Sequence, residues 1–361
     1  MMAARNEIID IAKAIGIILM VIGHTRCPEY LRHLIYLFHM PLFFLFSGYF
    51  FSQKYLYDKR TFIKRKLKSL YLPYVKWSLF FLLIYNFCFE IDIYSERVNY
   101  FGIVFHPYSM QEYFKHALSI LFTMTGHAPL LGGFWFLHSI FWGNIIFLFA
   151  LRYCKRATLP LLFLLTCLFL HFKIVIPIFE VSSLDTLAAL FIAIGYYTKK
   201  WQSQSDKDFS MSKWNIVFSC IALILMARFM PVSFQSVSAK KLLFFVFSGV
   251  IGTVLIVKLA SVLKRHANIS NFLCYIGQNT LTILALHLLC FKLVSYVICE
   301  FLGMPLWHVG EHPTMELQSG GGNMDSLFFM WSCIAIIAFK GVSRINEYYK
   351  NKVNYGKVVC L

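Results

Sequence analysis

RNEIIDIAKAIGIILMVIGH, residues 5–24, is an apolar run with charge at one end and a histidine at the other. Lys13 and His24 stand eleven positions apart. At about 100° per residue that is close to three turns, so a helix puts both on one face, roughly 16 Å apart along its axis. The rise is about half the hydrocarbon thickness of a bilayer. Ionisable groups are expensive at such depth and mark function by default. Asp10 lies on a neighbouring stripe. The uninterrupted apolar part, residues 14–23, is short, as in a signal peptide. No small-residue cleavage site follows in GHTRCPEY, however, so the segment is expected to be a retained first span.

The remainder of the chain has the composition of a housing for such a helix. Of 361 residues, 59% are hydrophobic and only 14% charged, against about 25% charged in soluble domains. A soluble protein of this length has too little polar surface to cover so much apolar surface, and lipid is the expected solvent. Apolar segments of spanning length recur at 8–25, 33–52, 70–89, 134–151, 157–174, 183–198, 214–231, 242–263, 275–299 and 325–343. The expected fold is therefore all-α, a polytopic membrane helix bundle of about ten transmembrane helices. Residues 5–343 form the membrane domain and 344–361 a short basic tail.

Charge placement orients the bundle. The connection 53–69 carries Lys54, Lys59, Arg60, Lys64, Arg65, Lys66 and Lys68 against Asp58 alone, which predicts a cytoplasmic loop. Counting from it, both termini are cytoplasmic. The basic clusters Arg152–Lys155–Arg156, Lys199–Lys200 and Lys264–Arg265 also fall inside. The outside connections are poorer in basic residues, except Arg228 to Lys241. The net charge of +17 is thereby explained by topology and anionic lipid, with no nucleic acid as a partner. The longest outside piece, 90–133, is mixed in charge and aromatic and reads as a lid. Gly320 to Gly322 read as linker. The ten cysteines show no CxxC and no metal-type Cys/His spacing, so neither a disulfide framework nor a metal site is expected.

Depth then groups the polar residues. His24, His39 in FHMPLFFLFSGYFF, Trp135 and His138 in FWFLH, and His287 in GQNTLTILALH all fall toward the outer halves of their spans, with Asp185 the nearest carboxylate. A single histidine in a membrane helix is often an interhelical hydrogen-bonder. For His39 that account is weaker, because Pro41 frees a backbone carbonyl. On the inner side, Arg65 and Lys68 share a helix face as FIKRKLKSLYLPY enters the third span. That face suits the phosphates of a cytoplasmic donor, although a topology signal alone would also account for it.

These pieces resemble the acyltransferase-3 family of polytopic membrane acyltransferases, most closely its fucose 4-O-acetylase-like branch. The resemblance rests on Asp10–x2–Lys13–x10–His24, FHMPLFFLFSGYFF, the basic run before LPY, FWFL, and GQNTLTILALH, and runs from Arg5 to about Lys340. The family often shows an R-x-x-R pair before the third span. Here Arg65/Lys68, or Lys66 with Ser69, stands in its place. The resemblance implies transfer of an acyl group, usually acetyl from acetyl-CoA, with no bound cofactor. The acceptor would be a hydroxyl of an exopolysaccharide, capsule, O-antigen or lipid-linked glycan at a bacterial inner membrane. It implies His24 and His39 as the catalytic pair, His24 acting as general base or as transient acyl carrier and His39 handling a proton or the oxyanion. Asp10, Lys13, Arg65, Lys68, Trp135, His138 and His287 would bind donor and acceptor. A glycan or solute transporter, or a glycan polymerase, would explain the spans equally well, but not the basic cluster facing the Lys13–His24 stripe.

Overall fold

A computed structural model of the chain describes residues 6–25, 27–100, 103–205 and 212–315. The described chain is almost entirely helical: α1 (Glu7–Gly23), α2 (Glu29–Tyr36), α3 (His39–Tyr49), α4 (Lys59–Lys66), α5 (Leu72–Leu83), α6 (Phe87–Glu90), α7 (Met110–Phe122), α8 (Trp135–Cys154), α9 (Thr158–Phe172), α10 (Ser183–Ser205), α11 (Lys213–Phe229), α12 (Leu242–Leu263), α13 (Ala267–Gln278) and α14 (Thr280–Leu302). A two-residue antiparallel ribbon pairs Asn99–Tyr100 with Ile103–Val104. The first nine predicted spans each fall on helix, whereas 325–343, Gly320 to Gly322 and the tail lie outside the described residues.

Among the described residues, four stretches are long and apolar enough to cross a membrane: Glu29–Tyr49, Pro129–Phe172, Ala239–Leu263 and Thr280–Leu302. Many large apolar side chains on these and neighbouring helices point outward, among them Leu164, Phe218, Leu243 and Phe247. A surface of that kind needs hydrocarbon around it, and the chain is a multi-pass membrane protein.

Three predicted spans are broken rather than continuous. The helix expected over 33–52 divides into α2 and α3, with Phe38 at φ −140° between them. Pro41 is the physical cause: its ring would clash with the carbonyl of residue 37 in one continuous helix, but it is tolerated in the first turn of a new one. The span expected over 275–299 divides at Asn279, between α13 and α14. The third span is entered through a π-helical turn, Leu67–Tyr71, in which the Leu72 amide donates to the Leu67 carbonyl five residues back. Pro73 follows and has no N–H to give the Ser69 carbonyl, so the α-pattern cannot run through.

The chain folds as two compact units. The larger comprises residues 1–23, 28–87 and 107–285. In it α10 is the central helix, packed by α3, α8 and α9, while α1 packs against α13, α12 and α3. Leu187 to Ala193 are buried on every side, as a helix apolar all round must be. Small residues allow the closest crossings. A Cβ on Gly48 would lie 1.8 Å from the Ile192 carbonyl oxygen, and one on Gly195 would lie 2.0 Å from that of Leu45. Helices in lipid associate through such small-residue contacts. The smaller unit comprises residues 24–27, 88–106 and the chain from 286 onward. Its apolar core joins Cys299, Val309 and Met315, flanked by Val294, Ile298, Met304 and Leu306. Gly310 lies directly against Ser95, where a Cβ would meet that side chain at 2.8 Å.

Candidate functional site

The larger unit holds a cavity of about 740 Å3. That volume suits a cofactor-sized ligand. Lys13 from α1, Arg65 and Lys66 from α4, and Lys68 from the π turn all line it, beside Phe43, Phe46, Phe50, Phe51, Phe62 and Phe136. The lining thus combines four cations with a largely apolar wall of aromatic and aliphatic side chains. Arg65 and Lys66 end α4 and Lys68 lies in the π turn that follows, where Pro73 forbids the next α hydrogen bond.

Two polar networks hold this cationic end. Asp10 sits 3.7 Å from the Lys13 ammonium and accepts, at 3.5 Å, from Gln278 Nε2. Gly277 makes that contact possible, since a Cβ there would lie 1.9 Å from the Asp10 carbonyl oxygen. The GQN segment at the end of α13 is therefore the seat of Asp10, and Asp10 fixes Lys13 in the cavity wall. On the opposite side Lys66 Nζ donates to Ser47 Oγ at 3.3 Å, and Ser47 donates to Asn144 Oδ1 at 2.9 Å. Asn144 is in turn anchored to the Ile140 carbonyl. Arg65 donates to the Tyr55 hydroxyl. Among the described residues no carboxylate pairs with Arg65, Lys66 or Lys68. Burial, and then the neighbouring Arg65 charge, press the Lys66 ammonium down to about 8. A site lined by four cations, of which only Lys13 has a carboxylate partner among the described residues, calls for an anionic ligand with several charges.

The remaining predicted residues distribute as follows. Trp135 opens α8 but packs on Phe234, with ring centroids 5.6 Å apart. From the same FWFL run, Phe136 and Leu137 are the residues that reach the cavity wall. His138 donates from Nδ1 to Asp185 at 3.0 Å and faces the Phe179 carbonyl with Nε2 at 3.2 Å. Asp185 also accepts from the Ser182 amide and hydroxyl. The pair thereby ties α8 to the start of α10. His39 donates from Nδ1 to the Ile35 carbonyl at 2.9 Å, which leaves Nε2 as the basic nitrogen of a neutral ring. Of the predicted set, the cavity gathers Lys13, Arg65 and Lys68, with Asp10 behind Lys13.

The smaller unit gathers a second set. His24 is the residue after the last turn of α1, and its ring centroid lies 5.3 Å from that of the fully buried His287. Two residues that the sequence reading did not single out belong here. Lys292 is 1% exposed, and His312 feels the charges of both Lys292 and His24. The signal for Lys292 was in the sequence: a lysine inside the apolar run LALHLLCFKLVSY. His312 gave none, because only the fold brings residue 312 to residue 24. Among the described residues no group of three His, Cys, Asp or Glu side chains converges as a metal site.

A family model described as an acyltransferase domain matches residues 6–342. No curated protein and no solved structure matches the chain.

Proposed function

The chain belongs to the acyltransferase-3 family, and from that premise we propose that it moves an acetyl group from acetyl-CoA to a hydroxyl of a cell-surface or lipid-linked carbohydrate. The observation that carries the donor assignment is the cavity with four cations, three of them without a carboxylate among the described residues. Coenzyme A carries a phosphomonoester and a diphosphate, the multiply charged ligand that such a cluster would hold. Its long pantetheine arm suits the apolar remainder of the cavity wall. Lys13, Arg65, Lys66 and Lys68 would take the phosphates, with Asp10 and Gln278 fixing Lys13.

His24 is the general base of this reading. In the chain it is the residue that follows α1, the helix that carries Lys13. A ring nitrogen of His24 removes the proton of the acceptor hydroxyl as the oxygen attacks the thioester carbonyl. The tetrahedral intermediate collapses with cleavage of the C–S bond, and the imidazolium returns the proton to the departing CoA thiolate. The sum is alcohol plus acetyl-CoA to acetyl ester plus CoA, with nothing left over. His287 flanks the His24 ring, and His39, with Nε2 as its basic nitrogen, is the second group available for proton handling. The membrane topology of this reading has ten spans and cytoplasmic termini in a bacterial inner membrane. It places the donor-binding basic loop on the side where acetyl-CoA is found. The fucose 4-O-acetylase-like branch supplies the first acceptor class to try.

Radiolabelled acetyl-CoA added to membranes of the producing cell, with the chromosomal copy deleted and a plasmid copy restored, tests this directly. Label is expected in the glycan fraction with the wild-type chain and at background with His24→Ala. Equal label with His24→Ala at equal protein level would remove His24 from the chemistry. Glycan moved across the membrane with no label incorporated would favour transport instead.

A further inference from the structure

Among the described residues Lys292 is the only lysine or arginine buried to this degree. A buried ammonium persists only if its protons are used. Lys292 spends them on main-chain carbonyls: it donates to the Val309 oxygen at 2.9 Å and to the Glu311 oxygen. Both belong to the segment that follows α14, which makes a short 3-10 turn over Leu306–Gly310. The base of that segment is packed through Val309 and Met315 onto Cys299. The Glu311 carboxylate is engaged by His308 Nδ1 at 2.7 Å, and the Trp307 ring stacks on His308 at 3.7 Å. The segment is thus fixed at both ends, with a lysine clamp between them. His312 is the residue immediately after the second clamped carbonyl.

We propose that Lys292 and His312 are positioning residues for the reaction: Lys292 clamps the segment of residues 305–315 through two carbonyls, and the clamp holds His312 beside His24 and so sets the orientation of the catalytic imidazole. The inference rests on the reading of His24 as the base. It explains why an apolar span carries a lysine, and why that lysine faces backbone rather than a carboxylate. The charged and titratable groups involved are His24 and Lys292, acting on His312, and Glu311, acting on Lys292. His287 and His308 lie on the same elements. Burial, then the Lys292 charge and His24, hold His312 down to about 3, which keeps a neutral ring beside the base throughout the working range. Removing the Lys292 charge eases protonation of His312, so activity is expected to fail at higher pH on the acid side.

The test uses the full chain in lipid nanodiscs for hydrogen exchange and the same producing-cell membranes for label transfer. In Lys292→Met, amide exchange across residues 304–315 should accelerate ten-fold or more, while Lys292→Arg stays near wild type. Turnover of Lys292→Met should fall about 100-fold, the cost of a small misplacement of a catalytic group. Its apparent KM for acetyl-CoA should be unchanged and its acid limb displaced upward in pH. His312→Ala should reproduce the loss of turnover without faster exchange. Wild-type exchange in Lys292→Met would overturn the clamp. Faster exchange with wild-type turnover and pH profile would overturn its bearing on His24. Absence of label with the wild-type chain would instead sink the acetyl-transfer reading, and the exchange arm would still decide the clamp.

Discussion

Lys66 shows how a single side chain can report what a cavity is for. Its ammonium is held by one hydroxyl, that of Ser47, and stands next to another cation, Arg65. Its pKa is lowered from 10.5 to about 8. Between about 8 and 10.5 the unfolded chain holds a proton that the folded one has released, so this group's contribution to stability improves as pH rises through that window. At neutral pH the charge is retained at a cost, and an incoming phosphate would offset it. The second ionisation of a phosphomonoester, near 6, is complete by about pH 7, so above neutrality Lys66 is the partner whose charge changes. Acetyl-CoA affinity should therefore be flat from pH 7 to about 8 and weaken beyond it, by at most about ten-fold per pH unit. Equilibrium binding of labelled acetyl-CoA to the nanodisc protein measures this. Lys66→Arg, which stays charged, should flatten the curve, and Lys66→Met should bind weakly at every pH. A pH slope that persists in Lys66→Arg would assign the titration to another group.

At the scale of elements, the site depends on breaks in helices rather than on helices alone. The π turn at Leu67–Tyr71 exists because Pro73 cannot donate to the Ser69 carbonyl. Restoring that donor should let the α-pattern close and turn α4 by about one residue step, roughly 100°, relative to α5. Pro73→Ala is thus expected to match or exceed the thermal stability of the wild type while binding acetyl-CoA at least ten-fold more weakly. A scanning-fluorimetry melt together with the same binding assay separates the two effects. Unaltered binding would mean that the cations find the ligand without the π turn. The break at Asn279 works in the same manner. It ends α13 with Gly277 against the Asp10 backbone and Gln278 on its carboxylate, which seats Lys13. A continuous helix through that point would carry Gly277 and the Gln278 side chain elsewhere.

For the whole molecule, the helical class and the placement of helix on nine of the predicted apolar segments were legible because apolar runs are a composition signal, independent of neighbours; among the described residues four stretches are long and apolar enough to cross a membrane. The grouping of Lys13 with Arg65 and Lys68 was legible in part, since spacing put each on a defined face. Lys66 was harder to weigh, because its value comes from Ser47 and Asn144 on two other helices. Lys292 stood in plain view inside an apolar run, but its partners lie 17 and 19 residues further on, across a turn that no periodicity describes. His138 and Asp185 were ranked by depth, whereas their direct pairing is a tertiary fact. The seven basic residues of 53–69 predict an orientation, and the proposed topology yields a test of the larger unit. Lys59 begins α4 in that basic stretch, and Ile178 lies exposed in the turn between α9 and α10. Positive charge retained on the cytoplasmic side puts Lys59 inside, and the intervening spans then put Ile178 outside. Single cysteines at Lys59→Cys and Ile178→Cys, in a chain whose ten native cysteines are replaced, should respond oppositely to a membrane-impermeant maleimide. Ile178→Cys should label in intact cells, and Lys59→Cys only after permeabilisation. Labelling of Lys59→Cys in intact cells would put the cationic cavity on the side away from acetyl-CoA and rule out that donor.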